Sequence, residues 1–380
     1  MKRSTFLNDY ICAMRRMKGK WMVVLALLFA GLAVSAFQIK PKKDKAEELK
    51  IELGRQLFFD KALSNPNGQS CTVCHAPKTA FSDPNHAIVS EGMMDGAFVN
   101  RNSQSLTYVK YIPPFHRDST GLYRGGLFWD GRSNTLEHQL GGPFFNKAEM
   151  NNTDTVQLVE EVLNAPYYKT YKKVYGKMSN VQEAYKNMCE ALAAFERSDL
   201  LHEFSSKYDL YVAGKITLDA QEQEGLEIFQ GKGRCVSCHS MQPHVDGRIL
   251  FTNYGYYNLG VPRNEDNPFY STATEINPAG KAAIDYGLGG VLNDANEYGK
   301  FRVPTLRNVQ YTSPYFHNGY FKTLKEVVHF INTRDVHGAY TPEVSQNIAY
   351  QITGSLHLSE SEEDALVAFL LCLTDGYTMP

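Results

Sequence analysis

The sequence carries Cys71-Thr-Val-Cys74-His75 and, further along, Cys235-Val-Ser-Cys238-His239, two copies of one Cys-x-x-Cys-His pattern. Two thiols at this spacing can bond both vinyl groups of one porphyrin, and the histidine that follows is held under the ring as the proximal iron ligand. A zinc site or a disulfide is the alternative, but zinc needs four ligands in one cluster. The motifs therefore predict two covalently attached c-type haems and redox chemistry.

A short amphipathic helix is predicted before each motif, over residues 47–59 and 221–229, with a polar or glycine-containing turn between helix and motif. A cytochrome c domain begins in this way, so we expect a mainly α fold with two cytochrome c-like haem domains that arose by duplication. The predicted domains are 51–210 and 211–380. Helical patterns also cover 155–164, 181–197 and 359–373, and long irregular loops are expected at 87–126 and 247–299.

The composition is that of an ordinary globular protein, with 43% hydrophobic and 21% charged residues among 380. A net charge of −2 gives no argument for a nucleic-acid partner. Cysteines outside the haem motifs and the N-terminal region are Cys189 and Cys372. Both lie in apolar helical patterns, which predicts buried free thiols rather than a disulfide.

The N-terminal region has the pattern of an export signal. An apolar run over residues 21–37 follows four basic residues and contains Val34-Ser35-Ala36, with small residues at the positions that a signal peptidase reads. We expect a signal peptide over 1–36, a charged tether over 37–50, and a mature protein in the periplasm or cell envelope. An uncleaved membrane anchor is the alternative, because the run is nearly long enough to span a bilayer.

Further motifs resemble the signatures of the dihaem bacterial cytochrome c peroxidases and the related MauG-type enzymes. They are Gly126-Leu-Phe-Trp129-Asp130-Gly131-Arg132, Gly142-Pro143-Phe-Phe-Asn-Lys-Ala-Glu149, Phe301-Arg-Val-Pro304-Thr305-Leu306-Arg307-Asn308 and Thr312-Ser-Pro314-Tyr-Phe-His317-Asn-Gly319. Together with the haem motifs, the resemblance covers nearly the whole chain after the export signal.

The resemblance implies a peroxide pocket at the first haem, the one attached by Cys71 and Cys74. Glu149 falls where the family keeps an acid-base carboxylate, and Gln139 and Pro143 fall where it keeps an amide and a proline. Cleavage of an O–O bond requires a proton to move between the two oxygens, which a carboxylate in an apolar pocket can do, while an amide stabilises the developing charge. The alternative for Glu149 is a solvated surface acid.

The resemblance also implies an electron relay and a cation site. Trp129 matches a tryptophan between the two haems, although it can equally be a core aromatic residue. Asn102, Thr312 and Pro314 fall near positions that bind calcium in the family, through an amide oxygen and two backbone carbonyls.

The chain departs from the family at the sixth iron ligands. The distal ligand of the second haem, a Met or Tyr in the family, falls at Ile331, which cannot bind iron, unless the alignment slips by one residue or a neighbour replaces it. His329 is a poor substitute, because it lies about 200° away round a helix. The inhibitory histidine of the first haem falls near Met93, with His86 as an alternative. We therefore expect an open, five-coordinate first haem.

These features favour an exported peroxidase that reduces hydrogen peroxide with electrons from a small redox protein, either a cytochrome c or a cupredoxin. A MauG-like oxidase that modifies a partner protein and a plain dihaem electron carrier are the alternatives. A homodimer is compatible with the sequence. Membrane contact is expected only through an uncleaved N-terminus.

Overall fold

The computed structural model describes residues 44–379, apart from 337 and 339. The predicted export segment, 1–36, lies outside these residues. Helices supply most of the regular structure, as predicted: α1 Lys45–Phe58, α2 Leu136–Phe145, α3 Thr155–Asn164, α4 Tyr168–Tyr175, α5 Val181–Glu196, α6 Lys207–Val212, α7 Ala220–Gln230, α8 Leu288–Leu292, α9 Leu324–Thr333 and α10 Glu360–Leu371.

The strands are two residues long and form two antiparallel pairs. β1 His116–Arg117 pairs with β2 Tyr123–Arg124, and β3 Tyr256–Tyr257 pairs with β4 Phe301–Arg302. The rest of the long loops is irregular, as the glycine, proline and asparagine content predicts. Within the described part of the chain, no helix combines the length and apolarity needed to cross a membrane.

The start of α1 corrects one expectation. The helix begins at Lys45, so residues 45–50 of the predicted tether are helical. The Asp44 carboxylate accepts a hydrogen bond from the Ala46 N–H at 3.0 Å, and Glu47 and Glu48 place negative charge at the positive end of the helix. These local interactions stabilise the first turn of α1 in a segment that looked like a charged linker.

The core of the N-terminal half is built from α1, α2, α3 and α5. α1 crosses α5 at Gly54, where a Cβ atom would lie 1.9 Å from the Ala191 carbonyl oxygen. Only glycine permits so close an approach of two helices. The crossing places the buried Phe58 against Phe195, with ring centroids 5.2 Å apart.

The core of the C-terminal half repeats this contact with α7 and α10. A Cβ atom at Gly225 would also lie 1.9 Å from a carbonyl oxygen, that of Ala365, and Phe229 packs on Phe369 at 5.2 Å. The same Gly-to-carbonyl crossing therefore precedes each haem motif. Duplication of the whole domain, and a boundary near residue 210, stay predictions.

Candidate functional site

Both Cys-x-x-Cys-His motifs form the same tight turn. A 3₁₀ turn spans Cys71–Val73 in one and Cys235–Ser237 in the other. The histidine N–H then donates to the carbonyl of the first cysteine, at 2.9 Å for His75 and 2.8 Å for His239. The turn thus brings both thiols and the imidazole of each motif to one side of the chain.

Each imidazole is oriented by a backbone carbonyl. Nδ1 of His75 lies 3.1 Å from the Phe81 oxygen, and Nδ1 of His239 lies 2.9 Å from the Phe251 oxygen. A carbonyl only accepts, so Nδ1 carries the proton and Nε2 has its lone pair free for a metal. Burial lowers the pKa of His75 and lowers the pKa of His239 to about 4. Both imidazoles are therefore neutral, the form that binds iron.

The surroundings of the motifs fit a haem better than zinc. None of the four motif cysteines is in a disulfide. The described residues contain no cluster of three or more His, Cys, Asp or Glu side chains able to hold a metal ion, whereas zinc needs four ligands. The cavity beside Cys235 and His239, here called the second cavity, is also lined by Arg302 and Tyr254.

Protein groups satisfy these two side chains only in part. Arg302 is 4% exposed and forms no ion pair with any described carboxylate; its Nε donates to the Phe128 carbonyl at 3.2 Å, and its Nη2 donates to Gln104 Oε1 at 3.4 Å. The buried Tyr254 hydroxyl has no hydrogen-bond partner in the described structure. Buried groups of this kind need a polar partner, and the propionates of a haem would supply it.

A first cavity, of about 830 Å³, lies on the N-terminal side and is lined by Gln139, Pro143 and Glu149. Gln139 and Pro143 are four residues apart on α2 and so share one face of the helix. Glu149 lies close enough to Cys71 and Cys74 to raise the pKa of both thiols by charge repulsion, although burial is the larger cause. The structure thus brings the three predicted pocket residues together near the first haem motif.

Burial also sets the state of the Glu149 carboxyl. Desolvation raises its pKa above the usual value, opposed by a 2.8 Å hydrogen bond that Asn146 Nδ2 donates to Oε1 and by the charge of Arg132. A carboxyl with a raised pKa exchanges protons closer to neutral pH, as an acid-base group requires. Asn146 was missed from the sequence; its position three residues before Glu149, just past the end of α2, was the available signal.

Trp129 lies at the junction of the two halves. Its Nε1 donates to the Asn102 carbonyl at 2.9 Å, and its own carbonyl accepts from the Arg302 N–H at 2.8 Å. The indole lines the second cavity, whereas the preceding Phe128 lines the first. A relay between the haems through Trp129 stays a prediction.

The three residues predicted to bind calcium also come together. Asn102, Thr312 and Pro314 line one cavity although they lie far apart in the chain. The Nδ2 group of Asn102 donates to the carbonyls of residues 87 and 88, at 3.3 and 3.2 Å, which leaves Oδ1 for another partner. Calcium binding there stays a prediction.

Ile331 lines the second cavity, on the face that α9 presents to it. His329 points elsewhere, because its Nδ1 lies 3.0 Å from Oε1 of the buried Glu363. The structure therefore agrees with the sequence that His329 is a poor replacement for a ligand at residue 331.

Neither candidate for the inhibitory histidine position lines the first cavity. Met93 Sδ accepts a hydrogen bond from Ser64 Oγ at 3.5 Å. His86 is exposed, and its Nδ1 lies 3.0 Å from the Ser313 carbonyl, in the C-terminal half. An open first haem stays a prediction, and both contacts favour it.

Comparison with known proteins shows that this chain is similar to the members of one family. The profile described as di-haem cytochrome c peroxidase matches residues 48–217. The methylamine utilization protein MauG of Paracoccus denitrificans is 36% identical over 92% of this chain and 94% of its own length. The cytochrome-c peroxidase IdrP1 of Pseudomonas sp. strain SCT is 30% identical over 88% of this chain and 83% of its own.

A solved structure agrees with these relatives. The diheme peroxidase BthA from Burkholderia thailandensis superposes with a TM-score of 0.74 at 32% identity, over 86% of each chain. The similarity therefore extends over both haem motifs and both cavities, well beyond the part that the family profile matches.

Proposed function

The chain belongs to the di-haem cytochrome c peroxidase family, and on that basis we propose that it reduces hydrogen peroxide to water at the first haem. The two electrons come from a small redox protein, a cytochrome c or a cupredoxin, and enter at the second haem. The observation that carries the proposal is that Gln139 and Glu149 line one cavity. A plain electron carrier has no use for such a pair. Glu149 is also close enough to Cys71 and Cys74 to affect the pKa of both thiols.

The protein's part in the reaction is proton transfer and orientation. Cys71, Cys74 and His75 would hold a haem, which would supply the iron and the electrons needed to break the O–O bond. Glu149 takes the proton from the near oxygen and delivers it to the far one, so that water can leave. Each turnover consumes two electrons and two protons for each peroxide and yields two molecules of water.

Gln139 holds the far oxygen through its side-chain amide, which stabilises the charge that develops as the bond breaks. Asn146 positions Glu149 through its 2.8 Å hydrogen bond to Oε1, so that the other carboxyl oxygen can face the cavity. Leu136, Leu140 and Phe144, on the buried face of α2, anchor this helix in the core of the N-terminal half.

Trp129 carries electrons between the two haems in this proposal. An indole is oxidisable, and its contacts with Asn102 and Arg302 fix the ring at the junction of the two halves. Calcium at Asn102, Thr312 and Pro314 would hold the same junction, since Asn102 also accepts the Trp129 N–H. Both haem domains, a signal peptide over 1–36 and a periplasmic location belong to the same proposal.

A MauG-like oxidase is the second candidate. It is favoured by the 36% identity to MauG, against 30% to IdrP1. Ile331 replaces the methionine of the peroxidases and the tyrosine of the MauG-type enzymes alike, so this position leaves the oxidase open without favouring it. Such an enzyme would use peroxide to oxidise a partner protein rather than a soluble electron donor.

Peroxide turnover by the exported holoprotein separates the candidates. We expect two haems per chain by intact mass, and steady oxidation of a reduced cytochrome c or cupredoxin on addition of hydrogen peroxide. Two haems with no donor oxidation, but with retention of oxidising equivalents after peroxide, would favour the oxidase. One haem or none would overturn the proposal.

A further inference from the structure

The segment that leads into α2 is repeated before α9. Each begins with an isolated β-bridge, Leu127 to Ser133 in one case and Tyr315 to Phe321 in the other. Between the two bridged residues of each segment lies a phenylalanine with a left-handed backbone conformation, with φ of 64° at Phe128 and 66° at Phe316. A left-handed phenylalanine is uncommon, so its recurrence at the same place sets the two segments in register.

The helices that follow are in the same register. α2 and α9 are both ten residues long, and both begin at a leucine directly after a threonine N-cap, Thr135 or Thr323. Pro143 is the eighth residue of α2, and Ile331 is the eighth residue of α9. Pro143 and Ile331 therefore occupy equivalent positions in the two segments, and this equivalence follows from the structure of this chain alone.

The same register compares the cavity faces of the two helices. Gln139 of α2 corresponds to Val327 of α9, and Leu140 corresponds to Val328. Val327, Val328 and Ile331 all line the second cavity, as do Leu366 and Leu370 of α10. The amide that serves peroxide chemistry in the first cavity is thus replaced by an aliphatic side chain in the second.

Among the described residues, the histidines that line the second cavity are His239 and His317, and His317 does not stand on the α9 face. It occupies the register position of Trp129, directly after the left-handed phenylalanine. Its ring stacks on Phe301, with centroids 3.6 Å apart and planes 11° apart. Its Nε2 lies 4.0 Å from Oε2 of Glu343, whose side chain is 5% exposed, so the imidazole faces that carboxylate.

The tyrosines of the second cavity are accounted for in other ways. The Tyr315 hydroxyl donates to the Val309 carbonyl at 3.1 Å, and the Tyr108 hydroxyl donates to Asp375 at 2.6 Å. The Tyr257 hydroxyl accepts from Asn253 at 3.0 Å. The Tyr254 hydroxyl has no hydrogen-bond partner in the described structure and is the group assigned above to a haem propionate.

We propose that the distal side of the second haem is an apolar binding site for a neutral diatomic gas, closed by Ile331 instead of an iron ligand. The inference rests on the proposed attachment of a haem to Cys235, Cys238 and His239. Carbon monoxide, nitric oxide and dioxygen belong to this class. The aliphatic side chains of α9 and α10 at this face offer no hydrogen-bond donor, so an anion placed against them would be a buried charge without a partner, which is costly.

Carbon monoxide binding to the reduced holoprotein tests the proposal. Intact mass first establishes two haems per chain, and the protein is then reduced with dithionite and titrated with carbon monoxide while the Soret band is followed. Ile331→Met and Ile331→His place a ligating side chain over the iron, whereas Ile331→Val is the matched control.

We expect both ligating variants to bind one carbon monoxide fewer per chain than the wild type, and the valine variant to bind the same number. Azide should leave the spectrum of the oxidised second haem unchanged in all four proteins. Two haems with equal carbon monoxide stoichiometry in wild type and both ligating variants would overturn the gas site while leaving the proposed function intact. A single haem per chain would instead remove the proposed function.

Discussion

The Met93 N–H donates to the carbonyl oxygen of Glu149 at 2.7 Å. The loop around Met93 is therefore attached to the backbone of the predicted acid-base residue. Gly92 permits this contact, since a Cβ atom there would lie 2.3 Å from the Ala148 carbonyl oxygen. A hydrogen bond from the Gly92 N–H to the Ala97 carbonyl at 2.7 Å closes the loop on itself. Movement of this loop and the position of Glu149 are thus coupled.

Replacing the predicted acid-base group should remove most of the peroxide turnover. We expect Glu149→Gln to lower kcat by about 10² to 10⁴, the usual contribution of a positioned acid-base group, because glutamine cannot move the proton. Stopped-flow and steady-state turnover with a reduced donor measure the effect.

The pH profile distinguishes a proton-transfer role from a structural one. Since burial raises the pKa of Glu149, wild-type turnover should fall as the pH drops through that pKa, above the usual carboxyl range, and this acid limb should vanish in Glu149→Gln. Glu160→Gln, at an exposed position on α3, is the control and should retain wild-type turnover. If Glu149→Gln retained wild-type kcat, the role of Glu149 would be wrong.

Replacing the predicted relay should slow electron transfer while leaving peroxide chemistry unchanged. In Trp129→Phe, the first haem should react with peroxide at the wild-type rate, but re-oxidation of the second haem should be slower, because phenylalanine is much harder to oxidise than indole. In Trp129→Tyr, which keeps an oxidisable ring, the rate of re-oxidation of the second haem should lie between those of the wild type and Trp129→Phe. Equal re-oxidation rates in all three proteins, followed by stopped-flow absorbance, would exclude the relay.

The sequence predicted the mainly helical fold and the family, and both are confirmed. It placed α3 at 155–164, where the structure has it, because caps and apolar periodicity agree there. It did not predict α2 as a helix, since Pro143 lies inside it and two glycines precede the proline. Proline and glycine disfavour a helix locally, whereas the packing of Leu136, Leu140 and Phe144 stabilises it.

Some parts of the site could not be predicted from the sequence, because they depend on tertiary contacts. Asn146 becomes relevant only because the turn after α2 brings its amide to Glu149. The equivalence of Pro143 and Ile331 follows from backbone geometry around Phe128 and Phe316, which composition and spacing do not reveal. Glu196 reads as an ordinary acid at the end of α5, yet it is 1% exposed in the fold.

Glu196 should make the stability of the protein depend on pH. Desolvation raises its pKa to about 8, against 4.5 for an exposed glutamate, and one carboxyl oxygen has no partner in the described structure. Between these values the unfolded chain has lost the proton that the folded chain keeps. The free energy of unfolding therefore falls as pH rises from about 5 to about 8, by about 1.4 kcal/mol per unit of pKa difference.

Glu196→Gln removes this dependence, because glutamine has the shape of the protonated acid and no charge. We expect the variant to match the wild type near pH 5 and to exceed it in thermal midpoint at pH 8. Glu160→Gln again serves as the exposed control, and its thermal midpoint should match that of the wild type at both pH 5 and pH 8. A constant difference between Glu196→Gln and wild type across this range would contradict the expectation.

The oxidised protein should react with peroxide before any reduction. Met93 stands near the position of the inhibitory histidine and is held by Ser64, while His86 is held at Ser313, so we expect neither side chain to ligate the iron of the first haem. An open site binds peroxide at once, whereas a ligated one must first lose its ligand through a loop movement. We expect a high-spin ferric signal from the first haem in low-temperature EPR, and turnover without a lag. Met93→Leu should leave both unchanged. The opposite outcome would be low-spin signals alone and a lag in turnover. If both pre-reduction and His86→Ala abolished that lag, the loop would carry His86 onto the iron.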